Sequence, residues 1–368
     1  MVSGGLYKEG NLIIERSITF LGKNDPILDG EGKGEIVTIL ADSVYMSGFI
    51  VQHVGTSYIK DQAGIRVKNA HHCQIVNNRL YDAFFGIYLE HANHTLLENN
   101  QVIGKAVQEM SSGNAIHLWH CKHALIRNNE TRKHRDGIYL EFVDQSRIEH
   151  NTSLENLRYG LHFMFSNDDE YAYNTFQNNG AGVAVMFSRR LKMHHNRFEF
   201  NWGQASYGLL LKEILDAEIH HNIFRENTIG IYVEGSNRIN YTYNNLISNG
   251  WALKISGGCL DNVLENNNFI GNSFDISLNS AINNNTINGN YWSDYSGYDL
   301  DRNGTGDVPY FPVKLFSYVV SKTPEAMVLL RSFFVDLINF SEKVSPVFAP
   351  AKIADNRPFI HPVKIEPF

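Results

Sequence analysis

Nine positions in this chain open the same short pattern, a small residue followed by an apolar-x-apolar triplet. They are Gly64, Gly86, Ala115, Gly137, Gly160, Gly182, Gly208, Gly230 and Ala252, spaced by 22, 29, 22, 23, 22, 26, 22 and 22 residues. Fourteen residues after each of the first eight stands an asparagine: Asn78, Asn100, Asn129, Asn151, Asn174, Asn196, Asn222 and Asn244. In the ninth the offset is 15, at Asn267. A fixed period of this length is the signature of a solenoid, in which each repeat buries its apolar side only by stacking on its neighbours. Two apolar columns follow the anchors, one running Ile87, Ile116, Ile138, Leu161, Val183 and the other Leu89, Leu118, Leu140, Phe163, Val185. Alternation with period 2 reads as strand with one face buried. A 22-residue unit has room for three short strands and their turns. The expected fold is therefore an all-β solenoid, a right-handed parallel β-helix of about ten rungs. Asparagine at one turn position predicts a ladder of stacked amides. Leucine-rich repeats share the period and an asparagine, but their LxxLxLxxN spacing is missing.

The two long spacings mark insertions, at residues 103–113 and around Trp202 at residues 199–206, after which the columns return in phase. The repeat stops near residue 290. The division expected is a β-helix over residues 1–290, a closing loop region over 291–322, and an amphipathic helix with a proline-containing tail over 323–368. Thr323 and Pro324 read as the cap and first residue of a helix over residues 324–341. Its polar stripe would be Glu325, Ser332, Asp336, Asn339 and Lys343. Met327, Leu330, Phe333, Phe334, Leu337 and Ile338 belong to a broad apolar face that something must cover, either the end of the β-helix or a membrane-bound partner.

Composition narrows the class. Of 368 residues 40 are asparagine, and 39 acidic against 32 basic side chains give a net charge of −7. That balance opposes nucleic-acid binding, which needs a basic face. Three cysteines, Cys73, Cys121 and Cys259, occupy different repeat offsets, contain no CxxC pair and read as buried thiols. No apolar run is long enough to span a membrane, and the first residues lack the basic and apolar regions of a signal peptide.

Rungs of a β-helix lie ~4.8 Å apart, so a shared offset becomes a surface column. Two residues after the anchor the outward column includes His117, Tyr139 and His162; four after it come Glu141, Met164 and Met186. Thioethers normally fill core gaps. Placed outward beside imidazoles, they form a soft donor set suited to Cu(I). His162, Met164, Met186 and His117 are therefore the first candidate copper ligands, and the alternative is an apolar patch that binds a partner. His72, His94 and His123 share the offset eight after the anchor and form a second candidate copper set, or else a solvated turn. Met193-His194-His195 and Ile219-His220-His221 make a third stack, whose imidazoles are expected to bond to neighbouring amides. Asp299, Asp301, Asn303, Thr305 and Asp307 place oxygen at positions 1, 3, 5, 7 and 9 of a calcium-type loop, with Gly304 at 6. Tyr310 replaces its final glutamate, so an asparagine- and aspartate-rich turn competes with a calcium site.

Longer strings are more specific. Ser111-Ser-Gly-Asn-Ala-Ile-His-Leu-Trp-His120, Arg135-Asp-Gly-Ile-Tyr-Leu-Glu-Phe142, Arg158-Tyr-Gly-Leu-His-Phe-Met-Phe-Ser-Asn-Asp-Asp169, Gly180-Ala-Gly-Val-Ala-Val-Met-Phe187 and Lys314-Leu-Phe-Ser-Tyr-Val-Val320 resemble the NosD family over roughly residues 85–345. The resemblance implies a periplasmic, non-catalytic β-helix attached to an ABC-type transporter, with NosF as ATPase and NosY as permease. It also implies a role in assembling the copper–sulfide site of nitrous oxide reductase, with copper received from the lipoprotein chaperone NosL. It does not carry ligands over residue by residue, so the copper sets above rest on the columns. Two other readings stay open. A carbohydrate-active β-helix would need paired carboxylates, for which Asp168-Asp169 is the best pair. A scaffold would only bridge proteins.

Overall fold

The computed structural model describes residues 1–57, 59–279, 284–344 and 353–366. The described strands form three parallel sheets of 13, 13 and 12 members, and each sheet takes every third strand of the chain. This is a right-handed parallel β-helix. The smallest sheet gives 12 complete turns against the ten or so expected. The additional turns lie mainly before residue 60, where strands such as Leu12–Ile14 and Val37–Ile39 pair in register without a glycine anchor.

The anchored triplets build the third sheet. Its strands Asp136–Glu141, Tyr159–Met164 and Ala181–Met186 align Ile138 with Leu161 and Leu161 with Val183. All three side chains are fully buried. Close stacking explains the anchor glycines: a Cβ at Gly160 would lie 2.8 Å from the carbonyl oxygen of Gly182 on the next rung.

The expected ladder is present. Asn174 is buried; its Oδ1 accepts from the backbone N–H of Asn151 at 2.9 Å, and its Nδ2 donates to Asn196 Oδ1 at 3.0 Å. A second ladder runs beside the first. Asn156, Asn179, Asn201, Asn227 and Asn249 repeat the arrangement at the other end of the second sheet, as in the 3.0 Å bond from Asn179 N–H to Asn201 Oδ1. The turns use residues with positive φ, among them His72 (55°), His94 (54°) and His123 (54°). Histidine, like asparagine and aspartate, tolerates that region better than most residues.

Beyond the repeat the structure departs from the expected loop and single helix. The segment 291–322 contains the strand Tyr291–Trp292 and the helix Leu315–Lys322. The helix expected over 324–341 is a 3-10 turn, Pro324–Leu329, followed by an α-helix, Phe333–Val344. Thr323 sits at the cap position but makes no side-chain capping bond. The side chains of Asn339 and Lys343, and residues 345–352 of the tail, lie outside the described residues. Phe316, Val320 and Val335 are buried against Phe274 of the last third-sheet strand, so these helices cover the end of that sheet.

Candidate metal centre

The outer face of the third sheet brings the first candidate set partly together. Register pairs His117 with Tyr139 and Tyr139 with His162 in one column. It pairs Glu141 with Met164 and Met164 with Met186 in the next. His162 and Met164, two residues apart on one strand, face the same way with Cα atoms about 6.6 Å apart. Met164 and Met186 are half-buried neighbours. The Tyr139 hydroxyl donates to the Met164 sulfur at 3.9 Å. Burial, then the charge of Glu141, pushes the Tyr139 hydroxyl pKa up, which keeps its proton in place.

His162 is 6% exposed, enclosed by the rings of Tyr139 at 4.8 Å and Tyr159 at 4.9 Å. Its Nδ1 lies 3.8 Å from Asp136 Oδ2 and 3.4 Å from Arg158 Nη2. Arg158 also donates from Nε to Asp136 Oδ1 at 2.9 Å. Burial raises the Asp136 pKa, but nearby His162 and the hydrogen bonds from Arg158 outweigh it and hold the carboxyl below its ordinary range. The Asp136 charge in turn matches that of Arg158. His162 Nε2 is buried and has no partner. A buried nitrogen without a hydrogen bond is costly, and a soft metal ion beside two thioethers would satisfy it.

His117 belongs elsewhere. It stands two rungs from His162, with Tyr139 between, and its ring stacks on Tyr88 at 4.4 Å. It lines a groove of about 730 Å³ with Arg66, Tyr88, Glu90, Trp119 and Glu141. Burial first, and then the positive charge of Arg135, depresses its pKa to about 3, so the ring is neutral.

The second set stacks as the offset requires, with ring centroids 4.9 Å apart for His72 and His94 and 4.6 Å for His94 and His123. The rings are nearly parallel, at 7° and 15°, so their in-plane lone pairs run alongside one another. Among the described residues no three or more His, Cys, Asp or Glu side chains are grouped to hold a metal ion. In the Asp299 loop the oxygens accept the loop's own amides: Gly304 N–H to Asp299 Oδ2 at 2.8 Å, Thr305 N–H to Asn303 Oδ1 at 2.8 Å, and Leu300 N–H to Asp307 Oδ2 at 2.7 Å. Asp301 accepts from Asn303.

The three cysteines are buried free thiols, and burial pushes Cys121 up to about 11. Asp168 and Asp169 point apart. Asp168 pairs with Arg190, whereas Asp169 is buried and accepts from Ser146 N–H at 2.7 Å. They do not form a catalytic pair. Of the apolar helix residues expected to dock, Met327, Leu330 and Ile338 are half-buried, the first two against the cap cluster, while Phe333, Phe334 and Leu337 are exposed. No described helix is long and apolar enough to cross a membrane.

Fold and site together define a parallel β-helix with a thioether–imidazole group on one outer face. The sequence profile described as "Periplasmic copper-binding protein (NosD)" matches residues 99–297, and this chain belongs to the NosD family. It is similar to the "Probable ABC transporter binding protein NosD" of Pseudomonas aeruginosa, 29% identical with 100% of this chain and 89% of that protein covered. The protein of the same description from Stutzerimonas stutzeri is 27% identical, over 96% of this chain and 84% of its own length. Solved structures with this fold include the Azotobacter vinelandii mannuronan C-5 epimerase AlgE6 A-module, with a TM-score of 0.54 at 14% identity, covering 78% of this chain and 90% of that one. Dettilon tailspike protein gives 0.55 at 15% identity, covering 76% and 58%. At such identities the likeness is one of fold alone.

Proposed function

We propose that this chain is the periplasmic, non-catalytic copper-handling subunit of an ABC-type transporter assembly, and that it supports formation of the copper–sulfide site of nitrous oxide reductase. The observation that carries the reading is the register pairing of Met164 with Met186 beside His162, whose buried Nε2 lacks a partner. Two thioethers and an imidazole nitrogen make a soft site that favours Cu(I) over zinc or magnesium. Half-buried sulfur atoms let an ion enter and leave without unfolding, as transit requires. The family membership and the names of the relatives support copper and the transporter.

In this reading a lipoprotein chaperone of the NosL type delivers the ion and a NosY-type permease, driven by a NosF-type ATPase, holds the β-helix at the membrane. The exposed Phe333, Phe334 and Leu337 form the docking face. The test is maturation in cells: with Met164→Leu and Met186→Leu together, the reductase should accumulate without its copper–sulfide chromophore while the variant β-helix reaches normal levels. Full chromophore in such cells would reject the proposal.

A further inference from the structure

The strands Arg189–His194 and Leu215–His220 pair in register, with His194 opposite His220. Each is followed by a second histidine, His195 or His221, with φ of 55° in both. That turn conformation sets the second ring perpendicular to the first, at 89° and 88°, and brings the two Nδ1 atoms of each doublet to 2.9 Å. Along the stack, His194 and His220 lie parallel at 5.0 Å, as do His195 and His221. The imidazoles of each doublet thus face each other.

Glu170 Oε1 lies 2.9 Å from His194 Nε2. A carboxylate there draws the ring proton to Nε2 and leaves Nδ1 as a lone pair on the side of His195, the arrangement that commonly orients a metal-binding histidine. In each doublet the two ring nitrogens share one proton as a hydrogen bond, and moving that proton to the far nitrogen of its ring leaves two lone pairs side by side for a cation. With bonds of ~2.0–2.1 Å, a 2.9 Å separation subtends about 90° at an ion. That is the cis angle of tetragonal Cu(II) or Ni(II). A linear two-coordinate ion would hold the nitrogens about 4 Å apart.

We propose that His194 with His195, and His220 with His221, are two stacked chelates for a divalent ion of the Cu(II)–Ni(II) class, each completed by solvent. One ion cannot serve both, because two bonds of ~2.1 Å do not bridge rings spaced a full rung apart. The Glu366 charge favours a cation near His221, while Lys192 opposes one near His220. The four rings are half-buried and reachable. None of this depends on copper at Met164.

The test is titration of the metal-stripped full chain with Cu(II) in air, followed by calorimetry and electron paramagnetic resonance. The parent should bind two ions per chain with nitrogen hyperfine splitting. His195→Asn with His221→Asn keeps the turns, since asparagine accepts positive φ, and should weaken binding by at least about 100-fold. The M164L/M186L variant should keep both ions, which separates this site from the Cu(I) reading. Fewer than one ion on the parent, or unchanged binding in the double variant, overturns the proposal. If that variant fails to fold, Glu170→Gln decides: about tenfold weaker binding of one ion supports it, and unchanged affinity for both overturns it.

Discussion

The backbone N–H of Asn290 donates to Asp355 Oδ2 at 2.9 Å, across 65 residues of chain. On each rung from Phe49 to Asn267 the corresponding amide finds the next asparagine of the ladder. Asn290 ends the series, and the carboxylate takes the place of the missing amide. It also accepts from Gly289 N–H at 2.9 Å and from Trp292 Nε1 at 2.9 Å. Residues 353–366 of the tail, which reads as extended in the sequence, therefore bond to the last rungs of the β-helix.

Asp355→Ala should destabilise the fold by roughly 2–5 kcal/mol, because two buried donors and the half-buried Gly289 N–H lose their acceptor. Asp355→Asn, which keeps an acceptor oxygen, should recover part of that loss. Denaturant unfolding measures both. Equal stability of the alanine variant and the parent would mean that water replaces the carboxylate.

The two ladders should respond alike. Asn174→Ala and Asn201→Ala each leave amides unsatisfied on neighbouring rungs and should cost roughly 1–3 kcal/mol. A shift in unfolding midpoint for one but not the other would show that its partners reach solvent.

Asp275 is buried and accepts from Tyr310 OH at 2.9 Å. Burial dominates and pushes its pKa up from 3.8 to about 7, against the opposing hydrogen bond from Tyr310. The folded chain therefore keeps a proton that the unfolded chain has released. Its contribution to stability is complete below about pH 4 and is lost as pH rises towards 7, by roughly 4 kcal/mol in all. Asp275→Asn should flatten that slope in unfolding measured between pH 4 and 8. Identical slopes would place the titration elsewhere.

The C-terminal helices have two faces with different duties. Phe316→Ala, at 1% exposure, should cost about 3–5 kcal/mol. Phe333→Ser with Phe334→Ser and Leu337→Ser removes only exposed side chains. It should leave the melting temperature within a few degrees while abolishing co-purification with the permease. Retained association would reject this face as the dock.

The repeat made most of the fold legible, because a stacked rung forces the same residue type to recur at the same offset. Leu161 and Asn174 could be placed from spacing alone. The second ladder carried the same signal, in asparagines at Asn156, Asn179, Asn201, Asn227 and Asn249, but lies five residues after the first and starts only midway. Asp355 had no such signal, since nothing periodic links it to Asn290. For the site, register gave Met164 beside Met186. The column also placed Tyr139 between His117 and His162, but order alone does not show which rings touch, as in the stacking of His117 on Tyr88. The pairing of His194 with His195 depended on the turn conformation of the second residue, which spacing does not encode.

Anaerobic titration of the full chain with Cu(I) against a competing chelator tests the central claim most directly. The parent should bind one ion, and Met164→Leu with Met186→Leu, which nearly conserves volume, should lower the affinity at least about tenfold without changing the fold. Unchanged affinity in that variant, or no Cu(I) bound by the parent, would contradict the assignment of copper to the third-sheet face.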